Sequence, residues 1–139
     1  MRFNYLPTLR AKIELGNGNP SKAIETLQVT APYELGQSTS NSCNWTALLP
    51  VYVRGEAYLA AHRGRDAAAE FQKIIVNRGA VLNEPIGALA RLGLARSYVL
   101  SGEISQARRG YEDYFEMWKD ADPDVPILTK ARKEYSELR

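Results

Sequence analysis

Cysteine is nearly absent from this chain. Cys43 stands alone among 139 residues, which rules out an internal disulfide and a cysteine-built metal site. A domain without disulfides can live on either side of a membrane, so the compartment stays open. Histidine is equally scarce: His62 is the only one. A histidine-rich metal site is therefore excluded, and a Ser-His-Asp triad would hang on that one residue. Nothing approaches the ~18 consecutive apolar residues of a membrane span. The start, Met1-Arg2-Phe3-Asn4-Tyr5, lacks the apolar stretch of a signal peptide. Charge of one sign is missing too. Eighteen Lys/Arg face 16 Asp/Glu for a net +2, and no basic run exceeds two residues, so the chain carries no electrostatic footprint for nucleic acid. What is present is 45% hydrophobic residues, enough to fill the core of a single domain spanning 1–139.

The apolar residues recur in a pattern that repeats three times. Ala11, Gly55 and Ala95 are each followed four positions on by Leu15, Leu59 or Val99. Twelve positions on comes alanine each time (Ala23, Ala67, Ala107), and four further a large residue: Leu27, Phe71 or Tyr111. A small residue in one helix and an alanine in the next let two antiparallel helices approach closely, while the larger side chains fill the space around the contact. Turn signals sit between the helices of each pair, at Gly16–Pro20, His62–Asp66 and Ser101–Glu103. In the first, Asn19 suits an N-cap and Pro20 the first helical position. After the third pair, Asp122-Pro123-Asp124-Val125-Pro126 breaks the chain before a last helix. That helix is expected to bury Ile127, Ala131, Tyr135 and Leu138, and to wet Lys130, Lys133, Glu134 and Arg139. The pattern predicts an all-α fold of seven helices without strand pairing. The pairs fall at about 4–30, 46–77 and 85–119, with a capping helix at about 125–138.

Fragments that look catalytic fail on context. Gly16-x-Gly18-x-x-Ser21 echoes a phosphate-binding loop, but such loops follow a strand and this one follows a helix. His62-Arg63-Gly64-Arg65-Asp66 resembles a kinase catalytic loop only superficially, lacking its spacing and its asparagine. Both read as turns, and His62 as a solvated turn residue. Cys43 has no cationic or helix-N-terminal neighbour to activate it. Asn44-Trp45-Thr46 matches a glycosylation sequon, a short pattern common by chance. Glu112, Asp113 and Glu116 form a solvated acidic face, and the eight tyrosines mostly occupy packing positions.

The pairs Gly55-x-x-Tyr58 with Ala67-x-x-x-Phe71, and Ala95-x-x-Tyr98 with Ala107-x-x-x-Tyr111, resemble the tetratricopeptide signature over roughly residues 4–119. The usual early tryptophan is replaced by Pro7, Val51 and Arg91, and Glu14 stands where tyrosine belongs. Ala23 and Ala67 lie 44 residues apart and Ala67 and Ala107 lie 40 apart, against about 34 for the standard unit. The excess is assigned to loops at Pro32–Trp45 and Asn77–Pro85. More narrowly, Ala31-Pro32-Tyr33-Glu34-Leu35-Gly36, Ala69-Glu70-Phe71-Gln72-Lys73-Ile74 and Trp118-Lys119-Asp120-Ala121-Asp122-Pro123-Asp124 resemble the C-terminal repeat region of bacterial serine/threonine protein kinases. That likeness implies an excised piece of a larger protein with its kinase domain elsewhere.

The resemblance implies a short right-handed tetratricopeptide-like solenoid with a C-terminal capping helix, working as a protein-interaction scaffold rather than an enzyme. First helices line the concave side of such stacks. The face about 100° round from the helix contact carries Lys12, Tyr52, Glu56 and Arg96, the candidate groove residues, with Thr8 and Leu92 at matching positions. The basic and asparagine cluster with which some family members clamp a peptide carboxylate is missing. Thr8, Val53, Leu89 and Gly93 stand in its places, leaving Lys12 as the only cation. The expected ligand is a protein or peptide, with no cofactor, no nucleic acid and no direct membrane insertion. The expected location is cytoplasmic, or the outer side of a membrane-anchored parent. The alternative reading is a structural end-cap of a longer solenoid without a ligand of its own; a nucleic-acid-binding repeat is a third.

Overall fold

The computed structural model describes residues 4–35, 48–81 and 85–138, and within them every regular element is a helix. In order these are α1 (Tyr5–Gly16), α2 (Pro20–Leu27), a 3-10 segment (Gln28–Tyr33), α3 (Leu49–Ala60), α4 (Gly64–Val76), α5 (Arg78–Val81), α6 (Ile86–Leu100), α7 (Ile104–Met117) and α8 (Pro126–Ser136).

Three turns of one design join α1 to α2, α3 to α4 and α6 to α7. Each places one residue in the left-handed region: Gly18 at φ 75°, His62 at φ 56° and Gly102 at φ 76°. In each, the next amide reaches back to the first helix: Asn19 to the Glu14 carbonyl (2.8 Å), Arg63 to Tyr58 (2.9 Å) and Glu103 to Tyr98 (2.9 Å). These bonds satisfy carbonyls that the helix end would otherwise leave orphaned. The middle turn puts the exposed His62 where the other two use glycine. Gly64, the glycine that marks this turn in the sequence, serves packing instead: a Cβ there would lie 2.8 Å from the Ser97 carbonyl and 2.9 Å from Leu100. Asn19 occupies the N-cap of α2, with Pro20 as the first helical residue. Its side chain does not cap, however; the amide donates to Glu14 instead, at 3.2 Å.

The small residues lie where the repeat puts them. Ala11, Ala23, Ala67, Ala95 and Ala107 are all fully buried, and Gly55 is buried with them. The first core joins Ala11, Ala23, Ile24 and Leu27 to Val53 and Ala57 of α3. The second gathers Val51, Ala67, Phe71, Ile74, Val81 and Ala90, and the third Leu92, Ala95, Tyr111, Tyr114, Leu128 and Ala131. Each helix pair packs on itself and then on the first helix of the next pair. Phe71 is the keystone of the middle core. A Cβ on Gly55 would stand 2.8 Å from its ring and one on Gly93 would stand 2.5 Å away, so the ring lies between two helices that approach only because both residues lack a side chain.

The structure departs from the sequence expectation in four places. α2 ends at Leu27, not near residue 30, and continues as a 3-10 helix. Pro32 lacks an amide hydrogen, and the Thr30 hydroxyl competes for the Leu27 carbonyl at 2.7 Å. α3 starts at Leu49 rather than near 46. The stretch after Asn77 is not all loop: α5 makes eight α-helices among the described residues instead of seven helices in all, and it plugs the second core with Val81. In α8 the fully buried side chains are Leu128 and Ala131, with Ile127, Tyr135 and Leu138 only partly covered. Leu128 was missing from the expected stripe. Cys43 and the Asn44–Thr46 sequon lie outside the described residues, as does Arg139.

Nothing in the sequence pattern marks Arg54, which is only 4% exposed. Its guanidinium donates to Glu34 at 2.6 Å, to Glu70 at 2.7 Å, and to Thr30 Oγ1 and the Leu27 carbonyl at 3.3 Å each. Lys73 adds ion pairs to Glu34 and Glu70 at 3.3 and 3.5 Å. Burial disfavours the Glu34 charge, but the hydrogen bond and charge of Arg54, then Lys73 and Thr30, outweigh it and hold the carboxyl below its ordinary range. Both partners remain ionised, and the network ties the 3-10 segment to α3 and α4.

Candidate functional site

Successive first helices, α3 and α6, open a cavity of about 190 Å³ between them. α3 contributes Tyr52, Glu56 and Leu59, and α6 contributes Leu89, Leu92, Gly93 and Arg96; Phe71 of α4 and Ile127 of α8 complete the lining. Five apolar side chains share the lining with Gly93 and with the polar groups of Tyr52, Glu56 and Arg96. Its depth follows from Gly93, which adds no side chain, and from the Phe71 ring beneath it.

Three of the four residues singled out from sequence meet here. Tyr52, Glu56 and Arg96 line the cavity; Lys12 does not, but reaches Glu56 from α1 at 2.9 Å. None of the four is a free surface group. Tyr52 is half-buried, its ring edge-on to Phe71 with centroids 5.8 Å apart. Burial first, then the charge of Glu56, push its hydroxyl pKa up against the opposing charge of Arg96. Arg96 makes a two-pronged bond to Glu134 of α8, at 2.8 and 3.0 Å. Burial opposes the Arg96 charge, yet these bonds and the Glu134 charge prevail and raise its pKa. Tyr111 donates to the same carboxylate at 2.9 Å. Glu134, expected on the wet face of the last helix, is instead the latch that draws α8 against α6 and α7. Thr8, matched to Tyr52 in the repeat, is buried and donates to the Asn4 carbonyl at 2.6 Å, so it takes no part in the cavity.

Sequence reasoning missed the contributions of Leu59, Leu89, Gly93, Ile127 and Glu134. Leu89 and Gly93 carried a signal, since they share one helical stripe with Arg96 at spacings of four and three. Ile127 and Glu134 carried none, because only the docking of α8 brings them to the site. Among the described residues no cluster of three or more His, Cys, Asp or Glu is placed to hold a metal ion. No described helix is long and apolar enough to cross a membrane. No family model, curated protein or solved structure matches this chain.

Proposed function

We propose that this chain is a tetratricopeptide-type interaction module whose helix pairs stack as a short right-handed solenoid capped by α8. Its ligand is a protein segment that sets an apolar side chain into the cleft between α3 and α6. The observation that carries the reading is the cavity itself: an apolar floor of Phe71, Leu89, Leu92 and Ile127, rimmed by Tyr52, Glu56 and Arg96. About 190 Å³ suits one large apolar side chain. The rim offers a carboxylate to accept from a peptide amide and a guanidinium to donate to a peptide carbonyl. This is a binding role rather than catalysis. The likeness to kinase repeat regions supports service to a kinase in the cytoplasm, without nucleic acid or membrane insertion.

The test is selection of a displayed random-peptide library on the immobilised domain, followed by titration of the enriched peptide with amide shifts recorded. Shifts clustered on Tyr52, Leu89, Gly93 and Arg96 are the expected result. Tyr52→Phe and Arg96→Gln should then weaken binding, the second with a salt-dependent loss. No enriched sequence, or shifts confined to another face, would remove the cleft as the binding site.

A further inference from the structure

The helix pairs share one joint, and α1 carries a copy of it that no other described helix covers. Relative to the small residues Gly55 and Ala95, the positions five before, two before and two after are Pro50, Val53 and Ala57 on α3, and Ala90, Gly93 and Ser97 on α6. On α3, Val53 and Ala57 are 2% and 0% exposed, inside the core shared with Ala23, Ile24 and Leu27 of α2. On α6, Ala90 is buried with Phe71 and Ile74 of α4, Gly93 lies against the Phe71 ring, and Ser97 faces Gly64. Counted from Ala11, the same positions on α1 are Leu6, Leu9 and Ile13. These are 44%, 44% and 63% exposed. Scattered exposed leucines mean little, but these three form one helical stripe in the register that is covered in both later copies.

The charges say what kind of helix pair fits. Lys12, Glu56 and Arg96 hold one register on α1, α3 and α6. Glu134 continues it on α8, standing to the buried Leu128 and Ala131 as Arg96 stands to Ala90 and Gly93. The signs alternate, with Lys12–Glu56 at 2.9 Å and Arg96–Glu134 at 2.8 Å. The Lys12 side chain is still 53% exposed, so an acidic side chain on an added helix would continue the alternation. A second copy of this chain does not fit end to end. Its last pair would bring Arg96 beside Lys12, and its α7 face is already taken by Leu128 and Ala131 of α8.

We propose that the outward face of α1 is a joint for a further helical hairpin, joined ahead of α1 as both internal joints are. The hairpin's second helix covers Leu6, Leu9 and Ile13, and its first helix brings a carboxylate to Lys12. This goes beyond the cleft reading and does not depend on it. Within residues 48–85 of the chain itself, α3 and α4 form a hairpin of this kind, with Glu56 in the acidic register. The experiment places a second copy of 48–85 directly ahead of Arg2, matching the register of α6 after α4. An Ile13→Cys thiol, in a Cys43→Ser background, reports cover. The expected outcome is a single unfolding transition at higher urea than the unextended chain, with thiol labelling slowed roughly tenfold or more. Glu56→Lys in the added copy alone should shrink the gain, and Ile13→Asp should abolish it while leaving the unextended chain nearly unaffected. An added hairpin that brings no gain and no protection, whether unfolded or docked elsewhere, overturns the proposal. So does a dimer of the unextended chain in sedimentation that Ile13→Asp abolishes, because that assigns the face to a second copy. Peptide binding at the cleft is a separate measurement, and its failure would leave the joint on α1 standing.

Discussion

Replacing Gly93 with alanine adds one methyl group, and the structure fixes what it meets. The new Cβ would stand 2.5 Å from Phe71 Cζ, well inside contact distance. An exposed ring would swing away at little cost, but Phe71 is only 1% exposed and has Gly55 on its other side, where a Cβ would be 2.8 Å away. Tyr52 meets it edge-on as well. Overpacking of this kind costs roughly 1–3 kcal/mol, while alanine for glycine inside a helix returns about 1 kcal/mol. Steric conflict wins because the ring has no direction of escape. The expected net loss is up to about 2 kcal/mol, a fall in Tm of up to roughly 10 °C for a chain of this size. Urea unfolding followed by far-UV circular dichroism measures it. Gly16→Ala is the control: nothing lies within 4 Å of a Cβ there, so propensity alone should act and stability should hold or rise. Phe71→Leu should make Gly93→Ala nearly harmless, since leucine lacks the atoms that collide; the coupling emerges from the double-mutant cycle. A Gly93→Ala variant as stable as Gly16→Ala would refute the keystone account.

Arg54→Ala should cost about 3–5 kcal/mol, since it strands Glu34 and Glu70 beside an apolar core; a melt within ~1 kcal/mol of wild type would show the network to be dispensable. The pKa of Glu34 is depressed, so its contribution is complete above the ordinary carboxyl value near ~4.3 and drains away as pH falls through the folded value. Urea midpoints at neutral and acid pH should therefore converge for wild type and Glu34→Gln, and parallel curves would contradict the assignment. His62→Gly relieves a left-handed backbone at φ 56° and should gain roughly 0.5–1 kcal/mol; an unchanged or lower midpoint would show that the turn carries no strain. Glu134→Gln should loosen α8 first, seen as faster amide exchange over Pro126–Ser136 than over α3 and α4. Uniform exchange across all helices would mean that the Arg96–Glu134 bond is not what latches α8.

The sequence by itself determined the helices, their pairing and their close approaches. Small residues at Ala11, Gly55, Ala95, Ala23, Ala67 and Ala107 repeat at fixed spacing because helix contact is a periodic demand. Turn residues mark the ends of helices for the same local reason. It determined Tyr52, Glu56 and Arg96 as neighbours on one side, because equivalent positions of repeated helices align. Tertiary structure decided the rest. In the middle turn the left-handed position falls to His62, because the glycine at 64 is needed where α6 approaches α4. Whether Arg54 is a surface cation or a buried hub depended on where Glu34 and Glu70 arrive, 20 residues before it and 16 after. The charges of the groove candidates Lys12 and Arg96 are paired, since Glu56 and Glu134 come from other helices. Local periodicity encodes the face a residue occupies, but the partner that neutralises or buries it is set only when distant helices dock.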